Sequence, residues 1–220
     1  MSKRGVLAVL AGLVAYFAYP SPNFWPAIFV SVAGLYLSVR GLKFWKATGI
    51  GFLGGSAFYA AQIYWISQYL GPEPLIALGG LEALIYALFA GCIGLVSARE
   101  LKPWMLSLAV ATIWTGREWF ATHFPYGGFP WSRVAMSQAD SPLAFWVSVG
   151  GFGLLTFLIV GFTVYAVESF RKGYRATLKP VALTLAAIFS VPVGLAMIPA
   201  DTAGTMRIVG IQGNANRSEE

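Results

Sequence analysis

Residue types suited to chemistry crowd into one stretch of this chain. From Thr112 to Pro142 it reads TIWTGREWFATHFPYGGFPWSRVAMSQADSP, which holds Arg117, Glu118, His123, Arg133, Gln138 and Asp140. His123 is the only histidine, a residue type that can act as a base or as a ligand. No second histidine or cysteine stands at ligand spacing, so no metal is expected, and a bonded structural histidine is the plainer reading. The one cysteine, Cys92, lies in the apolar run LFAGCIGLV, where it forms neither an internal disulfide nor a metal cluster. Gly-rich phosphate loops, G-x-S-x-G and H-E-x-x-H are absent, and no cofactor is expected. A further carboxylate, Glu82, sits inside the apolar sequence GGLEALIYALF. At that depth a carboxylate must be paired, protonated or turned to a wet cavity. Glu82 reads either as part of a polar pocket near the outer end or as a protonated acid bonded to a neighbouring helix.

The elements that position these residues follow from composition. Of 220 residues 57% are hydrophobic and 11% charged, where soluble domains carry about a quarter charged residues. A deficit of that size, sustained along the chain, makes lipid the solvent. Apolar runs at 47–70, 75–97, 104–121, 142–167 and 180–199 come near the ~20 residues of a crossing helix. Two shorter runs, 5–19 and 26–39, are parted by PSPNFW. Pro20 and Pro22 stop the first, and Pro26 suits the opening turn of the second. They form a tilted pair or a hairpin that stops short of a full crossing. A signal peptide is the alternative for the first run, although no small-x-small cleavage site follows it cleanly. The expected fold is an all-α polytopic membrane protein with about seven transmembrane helices over residues 1–200.

Charge placement sets the orientation. With a cytoplasmic N-terminus, the cytoplasmic segments collect Lys3, Arg4, Arg40, Lys43, Lys46, Arg99, Lys102, Arg171, Lys172, Arg175 and Lys179, eleven of the 15 basic residues. That asymmetry follows the positive-inside rule in every loop and leaves residues 200–220 outside. The net charge of +6 falls in clusters rather than on one continuous face, so no nucleic-acid partner is expected.

Within the outer segment, Pro125, Gly127, Gly128 and Pro130 forbid a continuous helix. Trp119, Phe120, Phe124, Tyr126, Phe129 and Trp131 suit the headgroup level. Irregular backbone at membrane depth survives only under cover of protein or water, so this stretch is predicted to form a non-helical shelf in the outer interface. An aromatic belt with a turn and no chemistry is the alternative. Interhelical hydrogen bonds are expected of Gln62 and Gln68, and close helix approach at glycines 49, 51, 54 and 55. At the far end, Arg207–Gln212 reads as one short strand followed by a turn. A lone strand cannot satisfy its backbone, so further chain or another polypeptide is expected to pair with it.

GGFPW followed by SQADSPL and then GGFGLLTFLIVGFTVYAV resembles the membrane portion of the apolipoprotein N-acyltransferase family. YPSPNFWP between the first two runs, REW before the shelf and RIVGIQGN after the last run agree with it. The resemblance spans essentially the whole chain. It implies that 201–220 begin a nitrilase-like α/β domain outside the cytoplasm, in the cytoplasmic membrane of a bacterium. It also implies an activity, in which a fatty acyl chain passes from a membrane phospholipid to an enzyme cysteine as a thioester. From there it goes to the free α-amino group of a lipoprotein's S-diacylglyceryl-cysteine. The family's Glu–Lys–Cys set lies in the nitrilase-like domain, past residue 220, so no catalytic residue is carried over to this chain and Cys92 does not match the nucleophile's context. Glu118 matches a family glutamate before the shelf. The arginine that usually follows it by three is absent, since position 121 is alanine, and Arg117 is the available substitute. The resemblance gives Glu118, His123, Phe129, Trp131, Arg133 and Gln138 a supporting role at a lipid access mouth and in docking the soluble domain. Two other functions compete: a small transporter using Glu82 and the shelf as a polar path, and a membrane scaffold for a separate nitrilase-like subunit.

Overall fold

The structure, a computed structural model, describes residues 2–196 together with Gly204, Val209 and Gly210. Among these it is helical, with no strand. The strand expected over Arg207–Gln212 falls, apart from residues 209 and 210, outside the described residues, as do residues 197–199 of the last apolar run.

Eight α-helices follow one another: α1 (Lys3–Val14), α2 (Ala27–Val39), α3 (Phe44–Ile63), α4 (Trp65–Leu70), α5 (Pro72–Ser97), α6 (Pro103–Ala121), α7 (Trp146–Lys172) and α8 (Tyr174–Ala196). Their starts obey simple chemistry. The Ser2 hydroxyl accepts from the Gly5 N–H to cap α1, while α5 and α6 open on Pro72 and Pro103, where the missing N–H costs nothing. Two expected runs divide. The run 47–70 is two helices, separated by a single turn residue, Tyr64, before the short α4, and the first begins earlier, at Phe44. The run 142–167 starts as a 3₁₀ turn over Pro142–Phe145 and kinks inside α7 at Gly150–Gly151, where Gly151 has φ +67°, then continues to Lys172. A hydropathy window averages over both breaks.

The helices pack on small residues. A Cβ on Gly51 would lie 2.4 Å from Ala90 Cβ, one on Gly54 2.8 Å from Leu35, and one on Gly55 3.0 Å from Tyr86. Gly49 departs from the expectation, with nothing within 4 Å of its would-be Cβ. Its place on the helix turns it away from α5. The side-chain bonds expected of Gln62 and Gln68 are also not found: Gln62 Nε2 has no partner, and Gln68 is exposed on α4. The first run belongs to the bundle, since Ala8 is fully buried and a Cβ on Gly12 would meet the Gly54 carbonyl at 2.5 Å. Around this core the outward surface is apolar, with Leu10, Val30, Leu84, Leu88, Leu108 and Leu183 exposed along their helices. Two stretches, Pro72–Ser97 and Pro142–Lys172, are long and apolar enough to cross a membrane by length and composition.

The bundle has two unlike ends. At one, Arg4 Nη1 donates to the Arg40 carbonyl at 2.7 Å, Gly41 N–H to Ser97 Oγ at 3.0 Å, and Arg40 pairs with Glu168. The hydrogen bond to Glu168 pushes the Arg40 guanidinium above its ordinary range. At the other, the Tyr19 hydroxyl reaches the Ser132 and Arg133 carbonyls, and Gln138 Nε2 donates to the Trp25 carbonyl at 3.4 Å. The pair formed by α1 and α2, short as both are, therefore runs from the basic end to the shelf.

Candidate functional site

Glu118 is the centre of the shelf end. It lies in the last turns of α6 and is 2% exposed. Val134 N–H donates to its Oε1 at 2.9 Å and the Thr156 hydroxyl to its Oε2 at 2.8 Å. Arg117 Nη2 stands 3.3 Å from Oε1 and Arg133 Nε 3.6 Å from Oε2. Thr156, on α7, in turn accepts from Ala135 N–H at 3.3 Å. One carboxylate thus joins α6, α7 and the 3₁₀ turn Val134–Gln138. Arg117 and Arg133 thus flank the carboxylate from two sides.

Arg117 extends the node inward. Its Nη1 donates to the Tyr59 hydroxyl on α3 at 2.6 Å, and its guanidinium lies 5.1 Å from the Tyr86 ring centroid and 5.7 Å from that of Trp114. These rings take up charge that neighbouring carboxylates leave uncompensated. Glu82, buried on α5, lies beside Tyr59 and Arg117, so it joins this cluster. Glu82 Oε2, Arg117 Nε, Trp114 Nε1 and Ser132 Oγ are buried without a hydrogen-bond partner, the kind of residual capacity that water or a ligand's polar group fills.

The shelf is built on the node. Gly127 and Gly128 have φ +93° and +71°, and the Phe129 N–H donates back to the Ala121 carbonyl at 2.8 Å, which closes the loop on the end of α6. A Cβ at Gly128 would sit 2.3 Å from the Thr122 backbone, so only glycine fits. Phe129 stacks on Trp131, and Trp131, 44% exposed, meets Trp65 at 5.6 Å. Tyr126 is fully exposed at the tip. Gln138, fully buried, lines a cavity of about 250 Å³ under the shelf together with Met136, Val147 and Phe152, and its Oε1 has no partner.

The expected site residues divide accordingly. Glu118 and Arg133 meet in the ion pair, Phe129 and Trp131 in a stack, and Glu82 joins through Arg117. His123 stands apart: it is exposed, stacked on Trp119 at 4.6 Å, with Nδ1 donating to the Trp119 carbonyl at 2.7 Å. That is a bonded histidine at a helix end. Tyr19, Tyr59, Tyr86 and Thr156 were not singled out by the sequence. Thr156, a polar residue inside GLLTFLI, carried the one signal that could have found it. Among the described residues no group of three His, Cys, Asp or Glu side chains could hold a metal ion. Cys92 is exposed on α5 toward the basic end, away from the shelf. With its lone pairs taken by donors, Glu118 can anchor but is poorly placed to abstract a proton.

Fold and node together describe a helical bundle with an apolar outward face and its polar groups gathered inside and at its ends, as a lipid solvent requires. Residues 11–165 match the family model described as the apolipoprotein N-acyltransferase N-terminal domain, an interval that takes in the whole node and shelf. The chain belongs to the apolipoprotein N-acyltransferase family. It is 36% identical over 170 residues to the apolipoprotein N-acyltransferase of Pseudomonas syringae pv. tomato, covering 70% of this chain and 32% of the relative. It is 30% identical over 232 residues to that of Pseudomonas putida, covering 96% of this chain and 44% of the relative. With the Vibrio parahaemolyticus protein the identity is 27%, over 82% of this chain and 38% of the relative. The chain spans less than half the length of these relatives.

Proposed function

We propose that this chain is the membrane portion of an apolipoprotein N-acyltransferase. It crosses a bacterial cytoplasmic membrane about seven times, with its N-terminus in the cytoplasm and residues 201–220 outside, where they begin a nitrilase-like domain. In the whole protein, a cysteine thiolate of that domain attacks a phospholipid's ester carbonyl, the lysophospholipid leaves with its hydroxyl protonated, and the acyl chain stays on the cysteine as a thioester. The free α-amino group of a diacylated lipoprotein then attacks the thioester and releases the thiol. The observation that carries this reading is the family match over 11–165, which includes Glu118, the shelf and both arginines. The apolar exterior and the clustering of basic residues at one end support the membrane placement. The relatives' greater length leaves room for a catalytic domain.

In this reading the shelf borders the lipid access mouth. Glu118, Arg117 and Arg133 fix its root, and Gln138 and Glu82 fill the polar interior behind it. Phe129 and Trp131 form an aromatic lip, with His123 on the outer turn beside it. The experiment is Trp131→Ala in a full-length version, with acyl loading of the cysteine compared with expression. Loading should fall more than expression does, and loading that stays level with expression would leave only an aromatic belt. Residues 1–220 alone are expected to show no transferase activity on a diacylated lipopeptide, and N-acylated product from the purified chain would overturn that assignment.

A further inference from the structure

A second polar site lies at the opposite end of the bundle. The turns between α2 and α3, α5 and α6, and α7 and α8 meet there around a cavity of about 610 Å³ lined by Arg40, Ser97, Arg99, Lys102, Leu106 and Lys172, among others. Its wall is rigid and neutralised. Glu168 holds Arg40 at two points, 2.5 Å to Nε and 2.8 Å to Nη2, and also accepts from the Tyr36 hydroxyl at 2.8 Å. The other cations are not so engaged. Arg99, Lys102 and Lys172 have no carboxylate within ion-pair distance among the described residues, and Glu100 on the same lining makes no ion pair. The cavity is left with a surplus of two positive charges. It also receives the start of α6, whose first turn has no side-chain cap.

The lining also includes Leu101 and Leu106, and the outward face of α6 near it is apolar, with Trp104 and Leu108 exposed. Positive-inside placement explains cations on these loops. It does not explain why they surround a concavity.

We infer that this cavity holds the headgroup of one anionic phospholipid of the leaflet at the basic end. Its phosphate lies against Arg99, Lys102 and Lys172, and its acyl chains lie along the apolar exterior of the bundle. Basic pockets between membrane helices take anionic headgroups in this way, and the apolar face of α6 beside the cavity, with Trp104 and Leu108 exposed, selects a lipid over a free phosphate. The inference rests on the membrane placement proposed above but not on acyl transfer, since this site lies across the bundle from the shelf.

The test uses the purified chain in nanodiscs of phosphatidylcholine doped with phosphatidylglycerol, with lipid retention read by native mass spectrometry after release from the disc. Wild type should retain phosphatidylglycerol over phosphatidylcholine. The triple variant R99Q/K102Q/K172Q should lose that preference by about tenfold or more, three cations at about fivefold each being an upper bound. The control K3Q/K43Q/K46Q, which removes the same charge from the same end, should keep it. Equal losses in both variants would reduce the effect to general surface attraction and overturn the site. So would displacement of the lipid by soluble glycerol phosphate, which would make it a phosphate site. A chain that failed to enter the discs would overturn the membrane placement and the inference together.

Discussion

A carboxylate that accepts from Val134 N–H, from Thr156 and from Arg117, with Arg133 in ion-pair range at 3.6 Å, stabilises the bundle while those donors keep their acceptor. Glu118→Gln removes the charge and presents an amide N–H₂ to donors already aimed at that site, leaving Arg117, 3% exposed, without its counter-ion. Breaking a buried pair from one side costs about 3–5 kcal/mol. Thr156→Val removes the bond given to Glu118 and the one accepted from Ala135 N–H, and leaves that N–H unpaired but no buried charge without a counter-ion, a loss of about 1–3 kcal/mol. Unfolding temperatures in detergent should therefore fall in the order wild type, Thr156→Val, Glu118→Gln, with exposed Asp140→Asn close to wild type. A Glu118→Gln protein as stable as Asp140→Asn would show that the node carries no weight. Little of this node was legible beforehand. Glu118 was visible as a charge near the end of an apolar run, but its second arginine is 15 residues away across a non-helical loop. No helical periodicity relates such positions. Tyr59 and Tyr86 looked like ordinary aromatic residues in apolar runs, because the partner of the Tyr59 hydroxyl and of the Tyr86 ring, Arg117, comes from another helix.

At the scale of elements, the shelf owes its shape to two adjacent glycines with different demands. Gly127 has positive φ but open space around its would-be Cβ, while at Gly128 that atom would strike backbone at 2.3–2.5 Å. Gly127→Ala should cost about 1–2 kcal/mol, the usual strain of a left-handed non-glycine residue. Gly128→Ala should cost more, because the loop has to lift off the end of α6 and surrender the Phe129–Ala121 bond. Limited proteolysis between 122 and 133, followed with thermal unfolding, separates the two: faster cleavage is expected for Gly128→Ala alone. Equal cleavage in both variants would mean that φ, not the close approach, sets the loop. The prolines and glycines made this loop legible in the sequence, as did the helix boundaries at Ala27, Pro103 and Ser97. The breaks at Tyr64 and Gly150–Gly151 were not, since apolar composition continues through them and only packing decides where a helix bends.

For the whole molecule, the two unlike ends give an orientation that labelling can read. Tyr126 is fully exposed at the shelf, Lys43 is exposed at the basic end, and Cys92 is exposed between them on the apolar face of α5 beside Leu88 and Leu95. Exposure means different things at the three places. In the membrane placement proposed above, the two ends meet water on opposite sides and the middle meets lipid. A charged, membrane-impermeant maleimide should label Tyr126→Cys in a Cys92→Ser background in intact cells. Lys43→Cys in the same background should react only after the membrane is opened. Native Cys92 should resist that reagent in both conditions yet react with a lipid-soluble one, because a charged reagent does not enter hydrocarbon. Labelling of Lys43→Cys from outside would overturn the orientation proposed above and place the shelf on the cytoplasmic side. Rapid labelling of Cys92 by the charged reagent would instead mean that water, not lipid, bathes the leucine face of α5, and the bundle would then have to bury that face against another protein surface.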